Sequence, residues 1–134
     1  MAQWNAFITD KLLESTQTAL YENGFSAELI SIIKVPGCFE LPYAAKQALQ
    51  HADAAIVLGC LIKGDTPHFE YIAQACANGI MQVNLDTLKP CIFGVLTVLN
   101  ETQAYERTDD NKVGDKGREA ALSLIQLLNT KLSE

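Results

Sequence analysis

Residues 54–71 read AAIVLGCLIKGDTPHFEY, an apolar run that passes into a glycine-containing loop and then into a helical pattern. A short apolar run with branched side chains and turn residues at its end is typical of a buried strand. Thr66 and Pro67 are suited to the cap and to the first position of a helix. We therefore predict a strand over 54–60, a loop over 61–65 and a helix over 67–86.

The loop between this strand and this helix indicates a ligand site. Free backbone N–H groups at the start of a helix attract anions, and the helix dipole adds to the attraction. The spacing from Gly59 to Thr66 mimics the phosphate loop of nucleotide-hydrolysing enzymes, but Asp65 stands where those enzymes have lysine. A carboxylate there would repel the outer phosphates of a nucleotide. We therefore exclude that class and retain a site for a single phosphate.

His68 follows this loop directly. Taken alone, a histidine here would be interpreted as a surface or packing residue. Ligands of open α/β sheets bind at the carboxyl ends of the parallel strands, which is where His68 is predicted to lie. We therefore interpret it as a group that moves protons near neutral pH.

The remaining chain alternates between branched apolar runs and helical patterns, as in βαβ units around a parallel sheet. Asn23-Gly24 is a typical end of a helix. We predict further strands over 29–35 and 91–97, and further helices over 9–22, 41–50, 101–107 and 117–132. Such a fold should begin with a strand, yet the first helix starts almost at once. We therefore expect either that the sequence begins inside the natural protein or that the first strand is missing or truncated.

Composition restricts the classes to which the chain can belong. Its 134 residues fit one domain, 1–134, and 49% hydrophobic against 19% charged residues suggest that some apolar surface is buried between subunits. A net charge of −6 and scattered basic residues argue against a nucleic-acid partner. No apolar run reaches the roughly 18 residues that cross a bilayer, and the start does not resemble a signal peptide. We expect a soluble, cytoplasmic protein without a membrane partner.

The four cysteines are Cys38, Cys60, Cys76 and Cys91, and none lies in a C-x-x-C pair. The chain has only two histidines. Metal sites require clusters of such ligands at characteristic spacings. We predict buried free thiols in a reducing compartment, and no metal.

Several other residues allow two interpretations. Residues 35–42 read VPGCFELP, which is either a strand-to-helix turn or a pocket wall whose Glu40 binds hydroxyl groups. Trp4 is either partly buried core or a ring that stacks on a heterocycle. Phe93 lies inside a predicted strand and is interpreted as core. Arg107 and Lys116 lie in a polar stretch where most charges are solvated, although either side chain can reach a phosphate.

Together these segments resemble the lumazine synthase family over nearly the whole chain. Residues 59–71 match the family pattern G-x-x-I-[RK]-G-x-T-x-H-[FY]-[DE]-[YH], the most specific of the motifs. Residues 35–42 match V-P-G-[AS]-[FWY]-E-[IL]-P, with cysteine at the small-residue position. The match is completed by shorter segments: Trp-Asn at 4–5, FGVLT at 93–97, ER at 106–107 and GDKG at 114–117. Residues 108–112 stand where many members have a shorter, glycine-containing link.

The resemblance implies a single-domain flavodoxin-like fold, a three-layer α/β sandwich around a parallel sheet, without cofactor or metal. It implies a transferase of riboflavin biosynthesis that condenses 5-amino-6-ribitylaminouracil with 3,4-dihydroxy-2-butanone 4-phosphate. It also implies a ring of five subunits with active sites between neighbours, alone or within a closed shell of sixty. Two alternatives stay open: the related archaeal-type riboflavin synthase, and a catalytically retired homologue that binds lumazine or forms a shell.

By the same resemblance, Trp4 stacks on the pyrimidine and Asn5 shapes the ribityl side of the pocket. Two loops line the ribityl site and the pyrimidine edge, through Gly37, Cys38, Phe39, Glu40, Cys60, Leu61 and Ile62.

The resemblance also implies how phosphate is bound and protons are moved. Asp65 and Thr66 would bind the phosphate through backbone amides, with His68 as the proton carrier. The adjacent subunit would supply Phe93, Arg107 and Lys116, and Arg107 would pair with the phosphate as the second catalytic residue.

Overall fold

Two parallel strands form the centre of the computed structural model, which describes residues 1–109 and 113–130. β1 spans Ala55–Ile62 and β2 spans Cys91–Val98, and their residues pair in register from end to end. Both are runs of aliphatic and branched residues, as strands buried on both faces require. The strands predicted over 54–60 and 91–97 are confirmed, with slightly later ends.

The predicted helices are also confirmed, with shifted ends. They are α1 (Ala6–Glu22), α2 (Leu41–Ala48), α3 (His68–Thr87), α4 (Glu101–Glu106) and α5 (Lys116–Leu128). As predicted, Gly24 follows the end of α1 with a positive φ of 96°, a conformation that glycine adopts without strain. Residues 131–132 of the last predicted helix lie outside the described residues, as do 110–112 of the link before α5. Within the described ranges, no helix is both long enough and apolar enough to cross a bilayer.

Helices cover both faces of the sheet and so produce three layers. On one face α1, α4 and α5 contact the strands, where Leu58 and Leu96 are buried. On the other face α2 and α3 pack over Val57 and Val95. Neighbouring residues of each strand therefore alternate between two hydrophobic clusters, as the pleat of a strand requires. The predicted three-layer α/β sandwich with a parallel sheet is confirmed.

The strand predicted over 29–35 is wrong as a continuous strand. Ala27–Leu29 form a turn of 3-10 helix, and the backbone after it is extended, with φ −116° and ψ 120° at Ile30. This extended segment has a single isolated bridge, at Val35. A strand needs a hydrogen-bonded neighbour, and among the described residues only 1–3 run beside it. The branched side chains indicated extended backbone correctly, but they could not show that most of it lacks a partner.

The short stretch before α1 occupies a place in the sheet between β1 and Val35. The Ala2 N–H donates to the Leu58 carbonyl at 2.9 Å, while the Gln3 N–H donates to the Val35 carbonyl at 2.8 Å. The Val35 N–H in turn donates to the Met1 carbonyl at 2.9 Å. The first strand that we expected to be missing or truncated is thus represented by a segment with one parallel bridge, from Ala2 to Val35.

The helices α1 and α5 approach each other closely at Gly117. A Cβ atom at this glycine would lie 2.5 Å from the carbonyl oxygen of Leu12. The buried Thr16 hydroxyl lies 2.8 Å from the Leu12 carbonyl and 2.9 Å from the Gly117 carbonyl, so its proton is shared between the two helices. This contact fixes the start of α5, and with it the backbone of Lys116, against α1.

The substitution Gly117→Ala should therefore lower the free energy of unfolding by about 2–3 kcal/mol, because the added methyl group meets backbone that cannot move aside alone. Thermal and urea unfolding at fixed protein concentration measure the loss. Gly64→Ala is the matched control, since a Cβ atom there has nothing within 4 Å. Equal unfolding curves for the two variants would contradict the tight helix crossing.

Candidate active site

The carboxyl end of the parallel sheet brings together three loops that the sequence placed far apart. Trp4 and Asn5 follow the residue 1–3 segment, Gly37 follows Val35, and residues 63–67 follow β1. Because these extended segments are parallel, their ends meet at one edge of the sheet. Most of the predicted site residues therefore lie at one edge, as expected for an open α/β fold.

Trp4 exposes its ring at this edge. The side chain is 73% exposed, so the interpretation as partly buried core is wrong. Its backbone N–H donates to the Pro36 carbonyl at 3.1 Å, which ties the tryptophan to the second loop. The next residue, Asn5, donates from its side-chain Nδ2 to the Cys60 carbonyl at 2.8 Å. The hydrogen bonds of Trp4 and Asn5 fix the backbone on which this ring stands. A flat exposed ring on a fixed backbone is suited to stacking on a planar ligand.

Glu40 combines the two interpretations that the sequence left open. Cys38–Glu40 form a turn of 3-10 helix before α2, and the Glu40 Oε1 accepts the Gly37 N–H at 3.0 Å. The carboxylate therefore caps its own turn. Its other oxygen has no hydrogen bond to any residue that the structure describes, and Glu40 is partly exposed. Phe39, 61% exposed, lies beside it. The turn presents one free acceptor and one aromatic ring.

The cysteines of the site serve packing rather than chemistry. The Cys38 sulfur fits because the facing residue is Gly59, where a Cβ atom would lie 2.6 Å from Sγ. Burial raises the pKa of the Cys38 thiol to about 11 and that of Cys60 to about 12. Both thiols stay protonated at neutral pH and so are poor nucleophiles. The prediction of buried free thiols is confirmed for all four cysteines.

The predicted cap by Thr66 is wrong in detail. Pro67 has ψ 3°, outside the helical range, so α3 begins at His68 rather than at Pro67. The Thr66 hydroxyl lies 3.5 Å from the His68 nitrogen, at the outer limit of a hydrogen bond. The first bond of the helix runs from Tyr71 N–H to the Pro67 carbonyl, at 3.3 Å. The N–H groups of Phe69 and Glu70, which precede it, have no partner among the described residues and are therefore available to an anion.

Three loop residues stand around this helix start. Asp65, Thr66 and His68 are exposed, and the His68 imidazole forms no hydrogen bond with any residue that the structure describes. Leu61 and Ile62, at the end of β1, are partly exposed beside them. The loop thus offers an uncommitted imidazole next to free backbone donors.

The other predicted residues line a cleft of about 350 Å³ along the free edge of β2. Phe93, Arg107 and Lys116 all face it. Phe93 is 41% exposed, so the interpretation as core is wrong. β2 has β1 on one side only, and in the described residues the other side is uncovered. Residues 1–3 lie beside β1 on the side opposite to β2. The residues near Trp4 and the residues of the β2 cleft are therefore at different places on the sheet.

The two cations of the cleft are held by different contacts. Arg107 donates from Nη1 to the Gln103 carbonyl at 2.8 Å, at the end of α4, and the Lys116 N–H donates to the Arg107 carbonyl at 2.9 Å. The Lys116 ammonium pairs with Glu119 at 2.9 Å. Sequence reasoning missed Glu119. Its spacing of three residues from Lys116, in the first turn of a helix, is the signal that could have revealed it.

The groups at these places are suited to binding and to proton transfer. In the described part of the chain, no group of three or more histidine, cysteine or acidic side chains is placed to hold a metal ion. The groups present are backbone N–H donors, one carboxylate oxygen that accepts, one imidazole and two cations. Such a set can orient a planar, hydroxylated molecule beside a phosphate.

Comparison with known proteins gives a consistent picture. A model of the 6,7-dimethyl-8-ribityllumazine synthase family matches residues 1–131. The chain is 47% identical over 129 residues to the 6,7-dimethyl-8-ribityllumazine synthase of Porphyromonas gingivalis, covering 95% of this chain and 80% of that protein. It is 44% identical over 131 residues to the enzyme of the same name from Chlorobium limicola, covering 96% and 84%.

A third relative with that name, from Parabacteroides distasonis, is 42% identical over 131 residues, covering 96% of this chain and 81% of the relative. The family predicted from the motifs is confirmed, and with it the enzyme class, a transferase of riboflavin biosynthesis. With a family model matched over almost its full length and relatives matched over most of theirs, this chain belongs to the 6,7-dimethyl-8-ribityllumazine synthase family.

Proposed function

We propose that this chain condenses 5-amino-6-ribitylaminouracil with 3,4-dihydroxy-2-butanone 4-phosphate to give 6,7-dimethyl-8-ribityllumazine, phosphate and water. The proposal is supported by the order of the chain: Trp4, Glu40 and His68 follow extended segments that end on the same side of the sheet, where α3 begins. That edge combines a stacking ring, a hydroxyl acceptor, a proton carrier and an anion site. Those are the four elements that the two substrates require.

The pyrimidine occupies the side formed by Trp4. Its ring stacks on the exposed indole, and its polar edge meets the backbone of Leu61 and Ile62 at the end of β1. The ribityl chain lies along the turn at Gly37, Cys38 and Phe39. There the free oxygen of Glu40 accepts hydrogen bonds from its hydroxyl groups. Buried Cys38 contributes through its backbone.

The phosphate of the second substrate lies at the start of α3. Backbone N–H groups of Asp65, Thr66, Phe69 and Glu70 donate to it, and the helix dipole favours its negative charge. Arg107 and Lys116 reach the same phosphate from the β2 cleft of the adjacent subunit. Among the described residues, the guanidinium uses only Nη1 for a hydrogen bond, to the Gln103 carbonyl at the end of α4. A planar guanidinium suits paired contacts with phosphate oxygens.

The chemistry needs little beyond placement and proton transfer. The pyrimidine amine attacks the ketone and water leaves, giving an imine. Loss of phosphate follows, and attack by the ribitylamino nitrogen closes the ring with loss of a second water. Holding both molecules in reactive geometry contributes up to about 7–11 kcal/mol. His68 accepts and returns protons during these steps, while the helix start and Arg107 stabilise the departing phosphate.

Family membership implies small-molecule substrates and an oligomeric assembly. We propose the finer state: a homopentamer with each site between adjacent subunits, alone or assembled into a shell of sixty. The separation of the β2 cleft from the Trp4 edge supports shared sites. The outer side of α3 supports association too, since Tyr71, Met81 and Leu85 are exposed there. Residues 1–134 act as one domain, without a cofactor, in the cytoplasm.

An absorbance assay tests the function. Purified protein given both substrates should produce the ultraviolet and visible absorbance of the lumazine, with phosphate released in equal amount. Protein given lumazine alone should leave it unchanged. Conversion of lumazine to riboflavin would instead indicate a riboflavin synthase. Tight lumazine binding without turnover of the two substrates would indicate a retired homologue, and either result would overturn the proposal.

A further inference from the structure

The hydrogen-bond ladder between the N-terminal segment and β1 breaks at Trp4. In a regular parallel ladder, alternate residues of a strand donate to the same neighbour. The Ala2 N–H donates to the Leu58 carbonyl, so the Trp4 N–H would be expected to donate to the Cys60 carbonyl. It donates instead to the Pro36 carbonyl, on the opposite side. The Cys60 carbonyl is thereby left without its ladder partner.

The side chain of Asn5 fills the vacant place. Its Nδ2 donates to the Cys60 carbonyl at 2.8 Å, in a partly buried position. The side-chain amide therefore substitutes for a backbone N–H. It allows the chain to leave the sheet one residue early without leaving a buried carbonyl unpaired, an omission that would be costly.

The backbone of Asn5 makes the same turn possible. It adopts φ 62° and ψ 44°, the left-handed conformation that asparagine tolerates better than most residues. Its carbonyl then accepts the N–H groups of Ile8 and Thr9, at 2.9 and 3.1 Å, and so starts α1. One residue thus joins β1, the exposed Trp4 ring and the first helix.

We propose that Asn5 is a positioning residue, which holds the Trp4 ring in its stacking orientation and acts on the substrate only through that ring. One N–H of the Asn5 amide is committed to the Cys60 carbonyl, and this bond is the one that we assign to the positioning of Trp4. The kinetic consequence rests on the proposed function. The effect of Asn5 on the orientation of Trp4 does not rest on it, because this effect follows from contacts within the free protein.

Fluorescence of the single tryptophan directly reports how firmly Asn5 holds the Trp4 ring. Asn5→Gly keeps the left-handed backbone accessible but removes the amide tether, while Asn5→Asp keeps the shape and replaces the donor with an acceptor. Both should lower the fluorescence anisotropy of Trp4 and make it more open to collisional quenching by acrylamide.

Both variants should also raise the KM for the pyrimidine about five-fold, the effect expected for one lost hydrogen bond. The KM for the butanone phosphate should change less than about two-fold, because Trp4 contacts only the pyrimidine.

Asn23→Gly is the matched control. Asn23 lies at the other end of α1, and its Nδ2 also donates to a carbonyl, that of Ala19, at 2.7 Å. This variant should lose a similar amount of stability and keep the wild-type anisotropy. Wild-type anisotropy in Asn5→Gly would overturn the inference, whatever its kinetics. A raised KM with unchanged anisotropy would mean that Asn5 contacts the substrate itself. If none of the proteins forms lumazine, the proposed function fails, while the anisotropy still decides the role of Asn5.

Discussion

Replacing His68 with alanine is expected to lower kcat about 10²–10⁴-fold, the range that a positioned acid or base contributes. The KM values for both substrates should change little, because the imidazole has no hydrogen-bond partner in the described part of the chain and the backbone donors of α3 remain. The enzyme should stay measurably active, since placement of the two substrates does not depend on this side chain. Steady-state kinetics with each substrate varied in turn measure both quantities.

His51→Ala is the control for this experiment. His51 is the only other histidine of the chain, it is exposed, and it precedes β1, at the end of the sheet remote from the candidate site. Its replacement should leave kcat and KM at wild-type values. An unchanged kcat in His68→Ala would remove the proton-transfer role. An increase in the KM for the butanone phosphate without a fall in kcat would mean that His68 binds phosphate instead.

The parts of the fold that were predictable depend on local signals. The run at 54–60, the glycines after it and Pro67 define one strand, one loop and one helix without reference to the rest of the chain. The strand predicted over 29–35 failed because pairing is not local. Its branched side chains favour extended backbone, but a ladder also needs a neighbour, and residues 1–3 bond only to Ile33 and Val35 near its end.

The site shows the same division. The loop with Asp65, Thr66 and His68 was predictable because strand, glycine loop and helix start follow one another directly. The exposure of Phe93 was not predictable from the sequence. It depends on the place of β2 at the edge of the sheet, and the order of the strands decides that place. The link between Asn5 and Cys60 was equally hidden, because a ladder defect between distant segments leaves no trace in the spacing of residues.

The proposed catalytic groups lie at two separate places on one protomer, which has a consequence for assembly. In the proposed site, the edge with Trp4, Glu40 and His68 (the His68 edge) supplies the stacking ring, the hydroxyl acceptor and the anion-binding helix start. The β2 cleft supplies Arg107 and Lys116. If each site takes its His68 edge from one subunit and its cations from the next, no protomer alone contains a complete site. In a closed ring every edge then meets a cleft, because each interface repeats the same head-to-tail contact.

Two impaired variants should therefore restore activity to each other. Arg107→Ala is expected to lower kcat/KM for the butanone phosphate about 10²–10³-fold, as loss of one donor to a developing anion does. Unfolded together in equal amounts with His68→Ala and then reassembled, the two variants should regain about one quarter of wild-type activity. That fraction of interfaces joins an intact His68 edge to an intact Arg107 cleft, when subunits mix at random.

A second mixture makes the test independent of folding yield. Wild-type protein reassembled with an equal amount of the double variant, His68→Ala with Arg107→Ala, should also keep about one quarter of the activity, because only neighbouring wild-type subunits form an intact site. Sites contained within single protomers would give a different pair of results. The wild-type mixture would then keep about one half, and the two single variants would gain nothing from each other. Agreement of the two mixtures thus supports shared sites, and their divergence excludes them.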